Sequence, residues 1–496
     1  MLRAAIVATM RLALISLILS CAVVLSAGCR PTASARSDDL APCRIQGIER
    51  EILCGRIVAA EDPDQPAGRT LEVHFAVVPA IARNAREDPV FVLAGGPGQA
   101  ATLIAGTAMS IFAELNARRD IVFIDQRGTG KSNALDCPDN STTLAATLDP
   151  SQQLEQLRRC LGELKADTRQ YATWIAVRDF DAVRRTLGAE RINLWGASYG
   201  TRAALEYLRQ FPQHVRTVVL DGVAPPDMAL PAAFAVDADA ALARLVQVCQ
   251  ADSDCRTRYP DFAARMEKLL QQADAGFDVT IPHPLSGEDQ TLRVDRRLLS
   301  SLLRVPLYVP SLAAVLPYAL AKAGSGDFAA LVALSAAVGT RMNEKVAVGM
   351  HFAVVCAEDM PRITPARRAE ADATRFGTAF ADLYTDICAA VATRPVPDAF
   401  YDIGKVEVPV LVLSGGLDPA TPPRHGAAVA DRLGHARHVV APNLGHGISA
   451  QSCAPRLITR FIRDGAFAGL DFTCLEQLPA ARFFAPIDAI AADGTR

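Results

Sequence analysis

The stretch INLWGASYG, residues 192–200, is the most informative part of the sequence for the fold. It begins as an apolar strand, passes through Gly196-Ala197-Ser198-Tyr199-Gly200 and leads into the helix-forming residues TRAALEYL. A strand that turns into a helix through Gly-x-Ser-x-Gly holds the serine hydroxyl above the edge of a sheet, and the glycines avoid side-chain clashes in the tight turn. This context predicts that Ser198 is a nucleophile.

The segments around this turn alternate between short apolar strands and helices. Several of the strands are continuously apolar, as is typical of strands covered on both faces of a mainly parallel sheet. Strands are predicted at 71–78, 90–95, 120–125, 191–196, 216–222, 408–415 and 436–442, and helices at 175–188 and 202–211. The alternation predicts an α/β protein with a doubly wound sheet.

The strand signals nearly disappear from about residue 226 to 400, where Ala-, Leu- and Arg-rich helical patterns replace them. We interpret residues 226–400 as a helical cap inserted between sheet strands, over the carboxyl edge where ligands bind in open α/β folds. The core then consists of residues 41–225 and 401–496. A separate helical domain is the alternative, but no obvious linker brackets the segment.

A nucleophilic serine needs a base and a carboxylate that orients the base. After a turn of this kind the expected chain order is serine, acid, histidine. Asp418 follows the strand at 408–415, and His446 lies in a glycine-flanked loop after the strand at 436–442. We predict Ser198, Asp418 and His446 as catalytic residues, with Asp221 as the alternative acid. Three other histidines are interpreted as surface or packing residues: His425, His435 and His438.

The stretch FVLAGGPGQAA, residues 91–101, has two interpretations. Its glycine spacing after a strand is that of a dinucleotide-binding turn, but the same loop can offer backbone N–H groups to an oxyanion. Pro97 has no N–H, which weakens the dinucleotide interpretation. We predict an oxyanion hole formed by the N–H groups of Gly96 and Tyr199, with Gly95 as the second choice after Gly96.

The stretch DQRGTGKS, residues 125–132, ends like a phosphate-binding loop. Such a loop requires glycine at its first position, and Asp125 stands there instead. We expect the DQRG part to brace the active-site loops.

Residues 1–28 have the pattern of a signal peptide, with two arginines, an apolar run, small residues and no acidic residue. The segment LSAGC resembles a bacterial lipobox, which would make Cys29 a lipidated N-terminus followed by a polar tether at 29–40. A transmembrane anchor and a signal peptide cleaved elsewhere are the alternatives. Arg30, in place of Asp, favours the outer membrane by the bacterial sorting pattern, with the protein facing the periplasm or the exterior.

Two of the twelve cysteines fall in this segment, which leaves ten. An even number in an exported chain predicts disulfides, and the sequence leaves their connectivity open. A zinc site is disfavoured because no CxxC is present. The formal net charge of −3 and the lack of a basic run argue against nucleic acid as a partner. Pairing of neighbouring cysteines would give Cys43–Cys54, Cys137–Cys160, Cys249–Cys255, Cys356–Cys388 and Cys453–Cys474.

The motifs GGPG, DQRGTGKS, GASYG, SGGLDPATPP and NLGHG occur in an order that resembles the α/β-hydrolase serine aminopeptidases of the proline iminopeptidase and tripeptidyl aminopeptidase type. The resemblance covers about residues 40–480 and implies an α/β-hydrolase fold. Ala94 and Tyr199 stand where proline iminopeptidases usually have His and Trp, so the tripeptidyl branch is closer.

The resemblance implies an exported exopeptidase that cleaves short peptides from a free N-terminus through an acyl-enzyme, without a metal or organic cofactor. Aminopeptidases of this group bind the substrate's α-ammonium group with acidic residues of the cap, which points to Glu358 and Asp359. A carboxylesterase that acts on a small ester is the alternative. A non-catalytic envelope lipoprotein is a third interpretation, which the presence of all three triad residue types disfavours.

Overall fold

The computed structural model describes residues 40–137, 150–283, 286–343 and 346–486. Eleven strands lie in these residues: β1 (Ala41–Cys43), β2 (Ile52–Ala60), β3 (Thr70–Val78), β4 (Val90–Leu93), β5 (Ile121–Ile124), β6 (Ile192–Ala197), β7 (Val215–Asp221), β8 (Phe277–Pro282), β9 (Asp289–Val294), β10 (Val410–Gly415) and β11 (Ala436–Ala441).

Nine of the strands form one sheet, in the order β1-β2-β3-β5-β4-β6-β7-β10-β11. The pairs are antiparallel from β1 through β5 and parallel from β5 through β11. All residues of the central strands β4 and β5 are buried, because helices cover both faces of the sheet. The predicted fold class, a mainly parallel and doubly wound sheet, is confirmed.

Seventeen α-helices lie in the described residues: α1 (Ala101–Phe112), α2 (Pro150–Glu163), α3 (Thr173–Thr186), α4 (Tyr199–Gln210), α5 (Leu230–Ala251), α6 (Ser253–Arg258), α7 (Phe262–Ala275), α8 (Arg296–Arg304), α9 (Pro310–Ala313), α10 (Leu316–Ala323), α11 (Ala329–Asn343), α12 (Val348–Glu358), α13 (Pro365–Asp372), α14 (Ala379–Cys388), α15 (Pro423–Leu433), α16 (Ala454–Asp464) and α17 (Thr473–Glu476). One hydrophobic cluster packs α3, α4 and α15 on one face of the sheet, and another packs α1 and α16 on the opposite face.

Each predicted strand corresponds to a strand of the nine-stranded sheet, namely β3, β4, β5, β6, β7, β10 and β11. The structure adds strands that the prediction lacks. Strand β2 contains Gly55 and Arg56, which interrupt its apolar pattern, and in the hairpin formed by β8 and β9 buried and exposed residues largely alternate. Strands with one exposed face carry many polar residues, so their signal is weaker than that of the buried central strands.

Strands β7 and β10 are direct parallel neighbours, although nearly 190 residues separate them in the chain. The intervening segment contains α5 to α14 and the hairpin β8–β9. Many of its apolar side chains form a hydrophobic cluster that is distinct from the two clusters beside the sheet. We refer to residues 226–400, the cap predicted from the sequence, as the cap.

All ten described cysteines form disulfides, and each pairs with its neighbour in the sequence. Two of these bonds lie within the cap, where Cys249–Cys255 joins α5 to α6 and Cys356–Cys388 joins α12 to α14. The structure thus settles the connectivity that the sequence left open. The predicted signal peptide and Cys29 lie outside the described residues. Within the described ranges, no helix is both long enough and apolar enough to cross a membrane.

Removal of the Cys356–Cys388 bond should destabilise the protein more than removal of the Cys249–Cys255 bond. The two bonds close loops of 32 and 6 residues, for which chain entropy gives about 3.7 and about 2.2 kcal/mol. Equilibrium urea unfolding of the two double Cys→Ser variants measures this difference. A larger loss for the short loop would contradict the expected order.

Candidate active site

Ser198 occupies the turn between β6 and α4. Its backbone angles, φ 55° and ψ −124°, are ones that residues other than glycine rarely adopt. The turn is closely packed on both sides. A Cβ atom on Gly196 would lie 2.3 Å from the carbonyl oxygen of Gly200, and a Cβ atom on Gly200 would lie 2.1 Å from the carbonyl oxygen of Leu93. The two glycines therefore allow the strained turn that presents Ser198 at the carboxyl end of β6.

Asp418 and His446, predicted from loops 28 residues apart, meet in the structure. The Nδ1 atom of His446 lies 2.8 Å from Oδ2 of Asp418. Asp418 is buried and also accepts hydrogen bonds from the backbone N–H groups of Ala420 and Thr421 and from the Thr421 hydroxyl. These donors hold the carboxylate in the orientation that the imidazole needs.

Asp221, the alternative acid, has a different set of partners. Its carboxylate accepts the backbone N–H groups of Ile448 and Ser449, which follow His446 in the chain. Its carbonyl oxygen accepts the N–H of Ser198 at 2.9 Å. Asp221 thus connects the serine turn with the histidine loop, whereas Asp418 contacts the imidazole.

The three other histidines of the C-terminal region bind elsewhere: His425 to Asp237, His435 to the carbonyl of Glu407, and His438 to Ser414. They have the packing and surface contacts that the sequence indicated. Of these four histidines, His446 is the one that contacts Asp418.

The environment of His446 raises the pKa of its imidazole. Burial lowers the pKa, but the negative charge of Asp418 and the hydrogen bond to it have the larger combined effect. The charge of Asp221 raises the pKa further, and that of Arg304 lowers it. A histidine with a raised pKa is a stronger base, which suits the removal of a proton from a serine hydroxyl.

The glycine-rich loop after β4 lies beside the serine. A Cβ atom on Gly95 would lie 3.2 Å from the Cβ of Ser198, so the backbone of the loop approaches the turn closely. Gly96, the next residue, has φ +112°. The N–H of Tyr199 belongs to the first turn of α4, where backbone N–H groups have no partner within the helix. The loop and the helix start therefore both border Ser198, as the predicted oxyanion hole requires.

Two residues of the cap contact backbone carbonyl groups of the glycine-rich loop after β4. The N–H of Ala347 donates to the carbonyl of Gly98 at 2.9 Å, and Nδ1 of His351 lies 3.2 Å from the carbonyl oxygen of Pro97. The position of the glycine-rich loop thus depends on the cap as well as on the sheet.

The residues of the DQRG stretch hold neighbouring loops, as expected. The Asp125 carboxylate accepts the N–H of Thr102 at the start of α1. Gln126 donates to the hydroxyl of Tyr199 at 2.9 Å, and Arg127 forms a two-pronged ion pair with Asp179 at 2.7 and 2.8 Å. These bonds connect the end of β5 with the starts of α1 and α4 and with α3.

Glu358 and Asp359 lie at the end of α12 and are fully buried. Both contact Arg202 of α4, a residue that the sequence reasoning did not single out. Asp359 accepts two hydrogen bonds from Arg202, each 2.9 Å long, and one from the N–H of Leu230. Glu358 accepts bonds from Arg202 at 3.2 Å and from the N–H and hydroxyl of Thr173 at 2.6 and 3.0 Å.

This buried group joins the cap to α4, the helix that follows Ser198. The Thr173 hydroxyl also lies 2.6 Å from the hydroxyl of Tyr199. Burial raises the pKa of Glu358 to about 7, while Arg202 and Thr173 oppose the rise. Two carboxyl groups share one guanidinium, so the group carries a net negative charge when both are ionised.

A second part of the cap contacts the histidine. The N–H of His446 donates to the carbonyl of Tyr308 at 3.2 Å, and the rings of the two residues meet edge to face with centroids 5.2 Å apart. Tyr308 in turn accepts a hydrogen bond from Arg304, at the end of α8. The sequence reasoning missed both residues, because nothing in the order of the chain shows that this part of the cap reaches the histidine.

The His, Cys, Asp and Glu side chains of the described residues do not form a metal site. Across the four described ranges, no group of three or more His, Cys, Asp or Glu residues has an arrangement that could hold a metal ion.

Comparisons with known proteins identify two family models in the chain. Residues 88–275 match the alpha/beta hydrolase fold, and residues 372–474 match the family described as TAP-like protein. The second match contains Asp418 and His446, and the first contains Ser198. These matches confirm the resemblance noted in the sequence.

Curated proteins that are similar to this chain are named as a protease, an aminopeptidase and a carboxylesterase. The serine protease Hip1 of Mycobacterium tuberculosis is 28% identical over 208 residues, which are 38% of this chain and 39% of that protein. The tripeptidyl aminopeptidase of Streptomyces coelicolor is 28% identical over 36% of each chain, and carboxylesterase B of Mycobacterium tuberculosis is 27% identical over 36% of this chain and 37% of that protein. The chain thus matches less than half the length of these relatives.

Among solved structures, proline iminopeptidase from Mycobacterium smegmatis aligns with 83% of this chain and 98% of its own, with 17% identity and a TM-score of 0.35. An esterase from Exiguobacterium antarcticum aligns with 79% of this chain and 96% of its own, with 12% identity and a TM-score of 0.37.

Replacement of Asp418 by Asn should lower kcat/KM by about 10⁴-fold, because the amide neither stabilises an imidazolium nor holds the required tautomer. Neutral His446 is the active base, so activity falls as the pH drops through its raised pKa. In the pH profile of kcat/KM, the midpoint of the acid limb should therefore lie above about pH 6.5 for the wild type. It should move to lower pH in the Asp418→Asn variant.

The pH dependence of kcat/KM for an activated ester, p-nitrophenyl acetate, measures both effects. Asp221→Asn serves as the matched variant, since Asp221 holds the histidine loop without contacting the imidazole. If Asp221→Asn caused the larger loss, the choice of Asp418 as the acid would be wrong.

Proposed function

Because the chain belongs to the α/β-hydrolase family, we propose that it is an exported serine exopeptidase that cleaves short peptides from a free N-terminus. The observation that carries this proposal is the hydrogen bond between Asp418 and His446, formed by loops at the same sheet edge as the strained turn of Ser198. The peptide substrate is suggested by relatives named serine protease and tripeptidyl aminopeptidase, so we propose an aminopeptidase of tripeptidyl or prolyl type.

In the proposed mechanism, Oγ of Ser198 attacks the scissile carbonyl carbon while His446 takes the hydroxyl proton. Asp418 stabilises the imidazolium that forms. The N–H groups of Gly96 and Tyr199 donate to the developing oxyanion. Collapse of the tetrahedral intermediate breaks the C–N bond, His446 protonates the leaving amine, and water then hydrolyses the acyl-enzyme by the same steps.

We propose that Glu358, rather than Asp359, binds the ammonium group of the substrate. Asp359 is committed to Arg202 through two short hydrogen bonds, whereas Glu358 has a single and longer bond to Arg202. Glu358 also lies next to Thr173, which contacts the Tyr199 side chain. The net negative charge of the buried group would favour a cation at this position.

Export is proposed from the five disulfides, which form and persist in oxidising compartments. The signal pattern of residues 1–28 and the lipobox at Cys29 extend this proposal to an outer-membrane lipoprotein facing the periplasm or the exterior. Conversion of Cys29 to a lipidated N-terminus would anchor the enzyme in the membrane.

A carboxylesterase is the second candidate. A relative bears the name carboxylesterase B, and the carboxylates that an aminopeptidase would use are hydrogen-bonded to protein groups in the structure. The catalytic triad would act on an ester by the same steps.

The first experiment compares free-amine and N-acetylated anilides of Pro, Ala and Ala-Pro-Ala with a short acyl ester. Protein without residues 1–29 is assayed, and Ser198→Ala provides the background rate. We expect cleavage of the anilides only when the amine is free, with the preferred length fixing the aminopeptidase type. Ester cleavage without any anilide turnover would instead support the carboxylesterase.

Replacement of Glu358 by Gln tests the amine site. Loss of a charge-assisted bond should lower kcat/KM for the free-amine anilide about 10- to 100-fold, while the rate with the acyl ester changes little. Asp359→Asn is the contrasting variant, because it leaves Arg202 without its main partner and should lower the melting temperature. Equal losses on anilide and ester in Glu358→Gln would contradict amine binding there.

A further inference from the structure

Arg304, the last residue of α8, lies in an aromatic part of the cap. The carbon of its guanidinium group is 4.5 Å from the ring centre of Phe234, 5.2 Å from that of Phe380 and 5.6 Å from that of Tyr308. Three different elements of the cap supply these rings, so the fold builds a defined position for this cation. Cation–π contacts of this kind orient the guanidinium plane.

The charge of Arg304 has no acidic partner in the described part of the chain. Its one hydrogen bond is donated to the neutral hydroxyl of Tyr308 at 3.0 Å, and its Nε atom is buried without any partner there. Two arginines of the catalytic region do have acidic partners, since Arg127 pairs with Asp179 and Arg202 with Asp359. A guanidinium has five N–H donors, so most of the hydrogen-bonding capacity of Arg304 is unused.

Arg304 also lies close to the reaction centre. Tyr308 contacts both residues, since its ring centre lies 5.6 Å from the Arg304 guanidinium carbon and 5.2 Å from the ring centre of His446. An extended peptide advances about 3.3–3.6 Å per residue, so Arg304 and His446 are at most about three residues of a bound substrate apart. The residue is only partly buried, which leaves it accessible from the cap interior.

We propose that Arg304 binds a carboxylate of the substrate, within about three residues of the scissile bond. A planar guanidinium with free donors matches the two oxygens of a carboxylate, and the three surrounding rings hold it in a defined position. Arg127, by contrast, donates to the Asp179 carboxylate and to two backbone carbonyl oxygens. The free donors of Arg304 point instead to a ligand.

This inference rests on the proposed peptidase function and narrows it to peptides that carry an anionic group. The carboxylate has two possible sources, the free C-terminus of a short peptide and the side chain of Asp or Glu. A bound peptide would then contact a carboxylate, Glu358, at its ammonium end and a guanidinium, Arg304, at its anionic group.

The test uses three pairs of peptides. Ala-Pro-Ala-Ala-Ala is assayed as the free acid and as the C-terminal amide, and the amidated peptide is also assayed with Glu or Gln at its second or fourth position. We expect the wild-type enzyme to prefer the anionic member of one pair about 10- to 100-fold in kcat/KM, and Arg304→Met to remove this preference. The pair that shows the preference identifies the source of the carboxylate.

Two further variants control for folding and charge. Arg304→Lys keeps the charge and should retain part of the preference. Arg362→Met removes another cap arginine, stacked 4.4 Å from the Tyr401 ring, and should leave the preference unchanged. Titration of Ser198 with a phosphonate gives the concentration of active enzyme for each variant, so a folding defect is separated from a change in selectivity.

Equal rates on the charged and neutral peptides in the wild type, or an equal loss on all of them in Arg304→Met, would overturn the inference. If the phosphonate labels Ser198 but no peptide is cleaved, the peptidase function fails, and mono-p-nitrophenyl glutarate is compared with p-nitrophenyl valerate. A preference for the glutarate that Arg304→Met removes would still support the carboxylate site, and equal rates would overturn it.

Discussion

The close approach of backbone to backbone around Ser198 is the constraint on which the site depends. Gly200 packs against the carbonyl of Leu93, and Gly95 packs against Ser198, so β4, β6 and the start of α4 converge with little room for side chains. This packing places the serine, the N–H of Tyr199 and the glycine-rich loop together before any substrate binds. Strain of about 1–3 kcal/mol is typical of such a backbone conformation, and the surrounding sheet stabilises it.

Residues of the cap contact this arrangement at two places. Its α12 delivers Glu358 and Asp359 to Arg202, two residues after Gly200, and the segment before α12 holds the carbonyl of Gly98. Removal of one partner from a buried ion pair leaves an uncompensated charge, which typically costs about 3–5 kcal/mol. Cap position and site geometry are therefore coupled through buried polar contacts, and a displacement of the cap would disturb the oxyanion loop.

The two charged features of the cap differ in sign. The buried group at α12 has more carboxylates than guanidinium groups, whereas Arg304 has a free positive charge next to aromatic rings. Substrates with an ammonium group and a carboxylate at the right separation would match both.

The elements with strong local signals could be predicted from the amino-acid order. Buried central strands are continuously apolar, and the serine turn needs glycines on both sides, so the sheet and Ser198 were recognisable without coordinates. Asp418 and His446 were found because catalytic residues of this fold follow particular strands. The polar hairpin β8–β9 was not predicted, because strands with an exposed face lack an unbroken apolar run.

Contacts between distant segments required the tertiary structure. Arg202 and Asp359 are 157 residues apart, and Tyr308 reaches His446 only because the cap folds back over the sheet. Likewise, only the structure shows that Asp418, and not Asp221, contacts the His446 imidazole. Local patterns reflect the burial and backbone needs of one segment, whereas the partner of a charged side chain depends on how the whole chain packs.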